Sequence, residues 1–197
     1  MLLHTYLEGI LGSKVKIKVL RVMYKFPTKV FTGRELAGHI KEVSHMAVSK
    51  SLKDMIGMNL ISVEYHGASQ LLSLNKNSYL FKPLKELFNL EMETLNYLIK
   101  RIRLYFLNQK YIKSIVLFGS IVKGEELVNS DIDLLMIATN KKIAELKIAE
   151  KQREITKIFG NVISPYIMSV SEFEKKKKNQ FIKNVKRSHI LVLGNEI

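Results

Sequence analysis

Two apolar runs that frame a Gly-Ser pair and two aspartates constrain the fold of this chain most. In residues 114–137, SIVLFGSIVKGEELVNSDIDLLMI, the first run ends at Gly119-Ser120 and the second begins at Asp131-Ile132-Asp133. Short apolar runs of this kind predict buried strands. Because a buried strand rarely carries carboxylates without partners, the two aspartates either serve a site or remain from one.

The alternation of side chains along a strand brings the two carboxylates together. Asp131 and Asp133 face one side of the predicted strand, roughly 6 to 7 Å apart, and Ile132 faces the other. Like charges this close repel unless a cation lies between them, and magnesium takes oxygen ligands of this kind together with substrate phosphates. At Gly119-Ser120, a phosphate can approach the glycine backbone closely, and the serine adds a hydroxyl.

The same arrangement, Gly119-Ser120 followed by Asp131-x-Asp133 between two apolar strands, resembles the nucleotidyltransferase fold shared by DNA polymerase beta and kanamycin nucleotidyltransferase. It is most similar to the minimal nucleotidyltransferases of archaea and bacteria. The resemblance implies that Gly119 and Ser120 hold the terminal phosphates of an NTP. It implies that Asp131 and Asp133 are catalytic and bind two magnesium ions. Lys123 stands where many relatives have arginine, and can neutralise phosphate as a point charge.

Catalysing members of that family carry a third carboxylate on a later strand, and this chain departs from them there. The strand predicted from NVISPYIMSV contains no Asp or Glu. Glu172 and Glu174 follow it, but SEFE is typical of a capping box on Ser171 that begins the final helix. Glu125 and Glu126 lie in the loop before the two aspartates. Two alternatives remain, a nucleotidyltransferase and a domain that only binds nucleotide.

The first zone of the chain carries signals for helices followed by a hairpin. A capping box begins at Thr32, and Ser13 and Ser44 are placed to cap two further helices. Asn59 ends the last of these helices at a position that favours a left-handed residue, and two strands follow around His66-Gly67. This order resembles a winged helix-turn-helix domain.

That second resemblance implies binding to double-stranded DNA. The helix that begins at Ser44 would enter the major groove, and the hairpin would lie on the backbone or in the minor groove. The residues expected to face DNA are His45, Met46, Ser49, Lys50 and Lys53. The alternative is that the domain is a protein–protein adaptor.

We therefore predict an α+β chain of two domains with a helix between them. The winged helix-turn-helix domain spans 1–78, the connecting helix 79–108, and a small nucleotidyltransferase-like α/β domain with a mixed sheet 109–197. The apolar stripe of the connecting helix predicts packing against a core, and a homodimer contact is the alternative. The lysine run 175–178 on the last helix indicates a solvated face, or else an RNA contact.

The amino-acid composition limits the cellular compartment and the classes of binding partner that we expect. The chain has 197 residues, with 32 basic against 18 acidic and a net charge of +14, which favours a polyanionic partner such as nucleic acid or a phosphate-bearing substrate. The absence of cysteine excludes disulfides and thiolate metal sites. No apolar run reaches the roughly 20 residues that span a bilayer, and the first residues lack the features of a signal peptide. We expect a cytoplasmic protein without membrane contact.

The predicted function combines these parts. It is magnesium-dependent transfer of NMP from an NTP to a hydroxyl on a protein, an RNA end or a small molecule, coupled to DNA binding. The resemblance to minimal members also raises an antitoxin-like role, in which a partner toxin is nucleotidylated. The alternative is a DNA-binding transcription regulator whose second domain only binds nucleotide or dimerises.

Overall fold

The computed structural model describes residue 4, residue 7, residues 11–40 and residues 43–197. Two compact units divide the chain, one spanning Thr5–Glu93 and the other Thr94–Ile197 with His4. The fold is α+β, as the sequence predicts. The domain boundaries at 78/79 and 108/109 stay a prediction, because the two units divide inside the long helix that lies between those positions.

The first unit consists of helices followed by an antiparallel hairpin. Its elements are α1 (Lys14–Lys25), α2 (Gly33–His39), α3 (His45–Gly57), β1 (Ile61–His66) and β2 (Ser69–Leu74). Phe31, between α1 and α2, pairs with Leu72 of β2 and extends the hairpin on that side. Both side chains are buried in a core to which each of these elements contributes. The elements occur in the order expected for a winged helix-turn-helix.

Most of the predicted helix signals in this unit are confirmed. Thr32 Oγ1 accepts a hydrogen bond of 3.2 Å from Glu35 N, and Glu35 Oε2 accepts one of 2.7 Å from Thr32 N. Ser44 caps α3, and Asn59 has a φ of +59°. Ser13 stands at the N-cap of α1, but its side chain makes no capping hydrogen bond. Its ψ of 84° departs from the extended conformation that aims a capping oxygen at the first turn.

A buried ion pair that no sequence signal predicts fixes α1 within this unit. Glu91 is 1% exposed, and its carboxylate accepts hydrogen bonds of 2.7 Å from Arg21 Nε and 3.1 Å from Arg21 Nη2. The backbone N–H of Leu7 donates another, of 3.0 Å. Removing one member of such a buried pair costs about 3 to 5 kcal/mol, because it leaves the other charge buried without a partner; loss of either Arg21 or Glu91 would therefore weaken the packing of α1 on the helix that carries Glu91.

That helix is α4 (Phe81–Phe106), the longest of the described helices, and it contributes to both units. Its predicted apolar stripe packs in the cores of the two units: Phe81, Leu84, Leu87 and Phe88 in the first, and Leu95, Leu98, Ile99, Ile102, Tyr105 and Phe106 in the second. The core prediction is thus confirmed, and the homodimer contact stays a prediction. Across the described part of the chain, no helix combines the length and apolar character needed to cross a bilayer.

The second unit is built on a mixed sheet of four strands in its described residues. Its further elements are β3 (Ile112–Phe118), α5 (Ser120–Lys123), β4 (Ile132–Ala138), α6 (Lys141–Phe159), β5 (Ile163–Ser169), α7 (Val170–Lys176), α8 (Gln180–Arg187) and β6 (Ile190–Gly194). The strand order is β5-β4-β3-β6, with β4 and β5 parallel and the other neighbours antiparallel. The mixed sheet confirms the prediction, whereas β6 has no counterpart among the strands expected from the sequence.

The two faces of this sheet bury different residues. Ile132 and Leu134 pack with residues of α4 and α6 on one face. Leu135 and Ile137 pack with residues of α7 and α8 on the other. Because side chains alternate along a strand, Asp133 belongs to the face that α7 and α8 cover.

The predicted capping box on Ser171 is wrong. Ser169 forms it instead: its Oγ accepts from Glu172 N at 3.1 Å, and Glu172 Oε2 accepts from Ser169 N at 2.7 Å. Both serines have a glutamate three residues on, and the end of β5 at Ser169 decides between them. The single last helix is also wrong, because α7 ends within the lysine run and Asn179 caps α8.

Replacing Ser169 by alanine should lower the free energy of unfolding by about 1 kcal/mol, the usual cost of losing a helix cap. Urea denaturation of the full chain measures the change. Ser171→Ala is the matched control, because among the described residues the Ser171 hydroxyl forms a hydrogen bond with that of Ser169 alone, at 3.0 Å. Equal losses in the two variants would contradict the capping role of Ser169.

Candidate functional site

The predicted nucleotide- and metal-binding residues meet at one edge of the sheet. Antiparallel pairing sets Phe118, the last residue of β3, opposite Asp133 of β4. Gly119 and Ser120 follow Phe118 directly, and Asp131 comes immediately before β4. The register of two strands thus brings together residues from two separate parts of the motif.

Gly119 lies directly against the carboxylate of Asp133. Its φ is +82°, in the left-handed region, and a Cβ added there would overlap Asp133 Oδ2 and lie 3.0 Å from Asp133 Cγ. The backbone conformation therefore requires glycine, and an added Cβ would force the Asp133 carboxylate to shift. The same lack of a side chain leaves the backbone at this edge open to a phosphate.

The two carboxylates affect each other electrostatically. The pKa of Asp133 is raised, first because the carboxyl is partly buried and second because Asp131 carries a like charge nearby. Asp131 itself is exposed. Such a pair is stabilised by a cation that both can share, and carboxylate oxygens are ligands that magnesium accepts.

Ser120 and Lys123 occupy the two ends of α5, a single helical turn. Ser120 follows Gly119 and is half-buried, whereas Lys123 is exposed at the last position of the turn. Gly124, with a φ of +68°, ends the helix. Lys123 makes no ion pair with the residues that the structure describes, so its ammonium group is available to an anion.

The neighbouring strand presents a hydroxyl where a third carboxylate would be expected. Parallel pairing sets Ser164 of β5 beside Asp133 of β4, so both side chains face the same side of the sheet. Ser164 is exposed. Within the described residues, no group of three or more His, Cys, Asp or Glu side chains forms a metal-binding cluster. β5, Ile163–Ser169, thus places Ser164 and no Asp or Glu beside Asp133.

The glutamates considered as substitutes are engaged elsewhere or exposed. Glu172 belongs to the capping box of α7. Its carboxylate accepts a hydrogen bond from the backbone N–H of Ser169, which lowers its pKa. The Glu126 side chain is 3% exposed, with Oε1 2.5 Å from Nδ1 of His4. Glu125 is exposed.

Three aromatic rings that the sequence motif does not include lie on the same face as Asp133. Phe181 of α8 contacts Tyr166 of β5 and Phe118 of β3, with ring centroids 4.7 Å and 5.6 Å away. Phe118 is the cross-strand neighbour of Asp133, and Tyr166 is two residues beyond Ser164. Tyr166 is 41% exposed, so part of its ring is open to a ligand at the site. Strand alternation could have placed Phe118 and Tyr166 on this face, whereas only the packing of α8 brings Phe181 there.

Gly119→Ala should weaken nucleotide binding by about tenfold or more, because the new methyl group displaces the Asp133 carboxylate. Isothermal titration with an NTP and magnesium measures the loss. Gly124→Ala is the control, since Gly124 also has positive φ but no heavy atom within 4 Å of an added Cβ. Both variants carry backbone strain, which is larger at Gly119 (ψ −156°) than at Gly124 (ψ 26°), and only the first also disturbs the carboxylate. Equal binding by the two variants would refute the role of the contact.

The residues predicted to bind DNA lie on α3, and the structure divides them. His45, Ser49 and Lys53 recur at intervals of four along one face and line a groove between α3 and the hairpin. Lys50 is exposed but does not line this groove. We call the groove between α3 and the hairpin the α3–hairpin groove. Its polar lining is formed mainly by Arg34, His45, Ser49, Lys53, Tyr65 and Gln70. Met46, also predicted to face DNA, is 81% exposed outside the groove.

One family model matches most of the second unit. Residues 100–196 match the family model described as Polymerase beta, Nucleotidyltransferase. This range contains the whole sheet and all of the predicted nucleotide- and metal-binding residues. A search of curated protein sequences found no match.

Solved structures give only distant similarities. A toxin–antitoxin complex with AMP-PNP aligns at a TM-score of 0.38 and 17% identity, over 50% of this chain and 74% of that one. A mutant of the MntA–HpeT toxin–antitoxin complex aligns at 0.37 and 15% identity, over the same shares of 50% and 74%. TrmBL2, an archaeal chromatin protein with a novel mode of DNA binding, aligns at 0.31 and 13% identity, over 94% and 76%.

Proposed function

We propose that residues 100–196, which match the family model described as Polymerase beta, Nucleotidyltransferase, bind an NTP with magnesium and transfer NMP to an acceptor hydroxyl. The observation that carries the proposal is the contact of Asp133 with Gly119, beside Asp131 at one edge of the sheet. It joins a metal-binding carboxylate to a backbone that a phosphate can approach. Both halves of the motif therefore act on one ligand.

The donor set fits magnesium. Asp131 and Asp133 offer carboxylate oxygens, and the raised pKa of Asp133 arises partly from the like charge that a cation would offset. Magnesium usually binds one or two carboxylates together with substrate phosphates. The family resemblance implies two ions held by this pair, whose charge would neutralise the triphosphate and the leaving pyrophosphate.

The remaining residues bind and orient the nucleotide. The Gly119 backbone and the Ser120 hydroxyl hold the terminal phosphates, and Lys123 supplies a positive charge. In the reaction, the acceptor oxygen forms a bond to the α-phosphorus while the bond to the bridging oxygen breaks, and pyrophosphate leaves. The proton of the acceptor hydroxyl passes to solvent.

The test uses the full chain and NTPs labelled at the α-phosphate. Magnesium-dependent release of pyrophosphate and transfer of label to an acceptor are expected, and both should vanish in EDTA. Protein, RNA and small-molecule hydroxyls are supplied in separate reactions, so that the labelled product identifies the acceptor, including a toxin-like protein partner. NTP binding without pyrophosphate release from any acceptor would refute transfer. NTPs are abundant in the cytoplasm, where we place the protein.

A second candidate function is DNA-binding regulation, with nucleotide binding but no transfer in the second unit. The observation that favours it is Ser164, an uncharged residue beside Asp133. The first unit would then act through the basic side chains that α3 exposes, Lys50 and Lys53.

Lys50→Ala and Lys53→Ala should each reduce the salt dependence of duplex binding. A lysine that contacts phosphate contributes about one unit to the slope of log K against log salt. Fluorescence anisotropy of a labelled duplex at several salt concentrations measures the slope. Lys110→Ala, which removes an exposed lysine of the second unit, is the control. Slopes unchanged in all three variants would favour the adaptor alternative.

A further inference from the structure

The α3–hairpin groove is a substantial concave surface within the first unit. Its volume is about 870 Å³, within the range of sites that hold small molecules. It lies between the start of α2, one face of α3 and the hairpin, and its lining residues all fall within residues 32–72. The packed core of a single unit therefore determines its shape.

The rim of the groove is positively charged. Arg34, His45 and Lys53 line it, and no aspartate or glutamate does. None of these three side chains forms a hydrogen bond or ion pair with the described residues. The nearby Glu35 is occupied by the capping box at Thr32, which lowers the pKa of its carboxyl. An anion at the rim would thus meet two cations, Arg34 and Lys53, that form no ion pair with the described residues.

The floor of the groove is apolar. Leu52 and Leu72 are 6% and 1% exposed, and Ile56 and Val63 are half-buried beside them. Tyr65 of β1 is 72% exposed and forms one wall. Ser49 and Gln70 add hydrogen-bonding groups. The groove therefore combines a surface suited to a flat apolar ring with a rim suited to an anion.

We propose that the α3–hairpin groove is a binding site for a small aromatic anion of the mononucleotide class. The base lies on the apolar floor beside Tyr65, and the phosphate lies between Arg34 and Lys53. A duplex would use the charged rim alone, because its bases stay stacked and leave the apolar floor uncovered. The groove offers no carboxylates to a metal ion, so binding does not require magnesium.

The experiment titrates AMP calorimetrically in EDTA into the full chain carrying Asp133→Asn. These conditions remove magnesium-dependent binding at the second unit. One AMP per chain is expected to bind, and Arg34→Ala should weaken the affinity about tenfold, the effect of losing a charged contact to phosphate. Lys76→Ala removes an exposed lysine that does not line the groove, and should leave the affinity unchanged. Nuclear Overhauser contacts from adenine protons to the Ile56 methyl groups should locate the base on the floor.

Several outcomes would overturn the proposal. They are the absence of AMP binding in EDTA, binding unaffected by Arg34→Ala, and inorganic phosphate that binds as tightly as AMP. Duplex DNA that binds through Arg34 while AMP does not would identify a nucleic-acid backbone site instead. Failure of NMP transfer by the second unit would leave each of these results interpretable, because none of them depends on transfer.

Discussion

Asp133→Asn is expected to weaken magnesium-dependent NTP binding by roughly 100-fold, or about 2.8 kcal/mol. The substitution keeps the size of the side chain and removes one of the two charges that can hold the cation. NMP transfer should fall below detection, because Asp133 would hold the metal ion that offsets the charge of the phosphates.

Titration calorimetry with and without magnesium measures the binding loss, and pyrophosphate release measures transfer. Glu145→Gln is the control, since it removes an exposed carboxylate from α6. Thermal unfolding should show that Asp133→Asn is no less stable than the wild type, because relief of the like charge offsets any lost interaction. Retention of magnesium-dependent NTP binding within threefold or so of the wild type would rule out Asp133 as a metal ligand.

Ser164→Asp is expected to strengthen magnesium binding and to raise NMP transfer by about tenfold or more. The register sets this side chain beside Asp133 on the same face, so the new carboxylate joins the existing pair. It would also offer a base for the acceptor proton. Without magnesium, the variant should unfold at a lower temperature than the wild type, because three like charges then lie close together.

Ser164→Asn separates charge from size, since asparagine has the shape of aspartate without its charge. It should change neither magnesium affinity nor the rate of pyrophosphate release in the same assays. Equal behaviour of the two variants would show that position 164 lies outside the metal site. A gain with aspartate alone would show that this position limits the rate in the natural chain.

Local patterns predicted the parts of the site that depend on strand period and register. Residues 114–137 contain both apolar runs, the glycine and the two carboxylates. Alternation predicts Asp131 and Asp133 on one side, and this stays a prediction because β4 begins at Ile132, one residue after Asp131. The capping box at Thr32 was equally local, because both partners lie within one helical turn. The same reasoning was ambiguous at Ser169 and Ser171, where two serines met the pattern and only the end of β5 distinguished them.

Local sequence patterns could not predict the contacts between segments that are distant in the sequence. The pair of Arg21 with Glu91 joins helices far apart in the sequence, and no local signal marks Glu91 as buried. Phe181 approaches Phe118 only because α8 packs on the sheet, and the basic rim with apolar floor arises where α3 meets the hairpin. The position of Ser164 beside Asp133 likewise required the parallel pairing of β4 and β5, which their sequences alone do not specify.

The contact between Gly119 and Asp133 makes the functional effects of mutations at these two positions interdependent. Any side chain at position 119 would take the space that the Asp133 carboxylate occupies, so a mutation there would displace the acid. In a random mutagenesis screen for lost transfer, missense changes at Gly119 and Asp133 should fall into one phenotypic class. A second substitution at position 133 should not rescue a Gly119 variant, because Asp133 itself is unchanged in that variant. Reversion to glycine at position 119 should therefore be the main way to regain transfer.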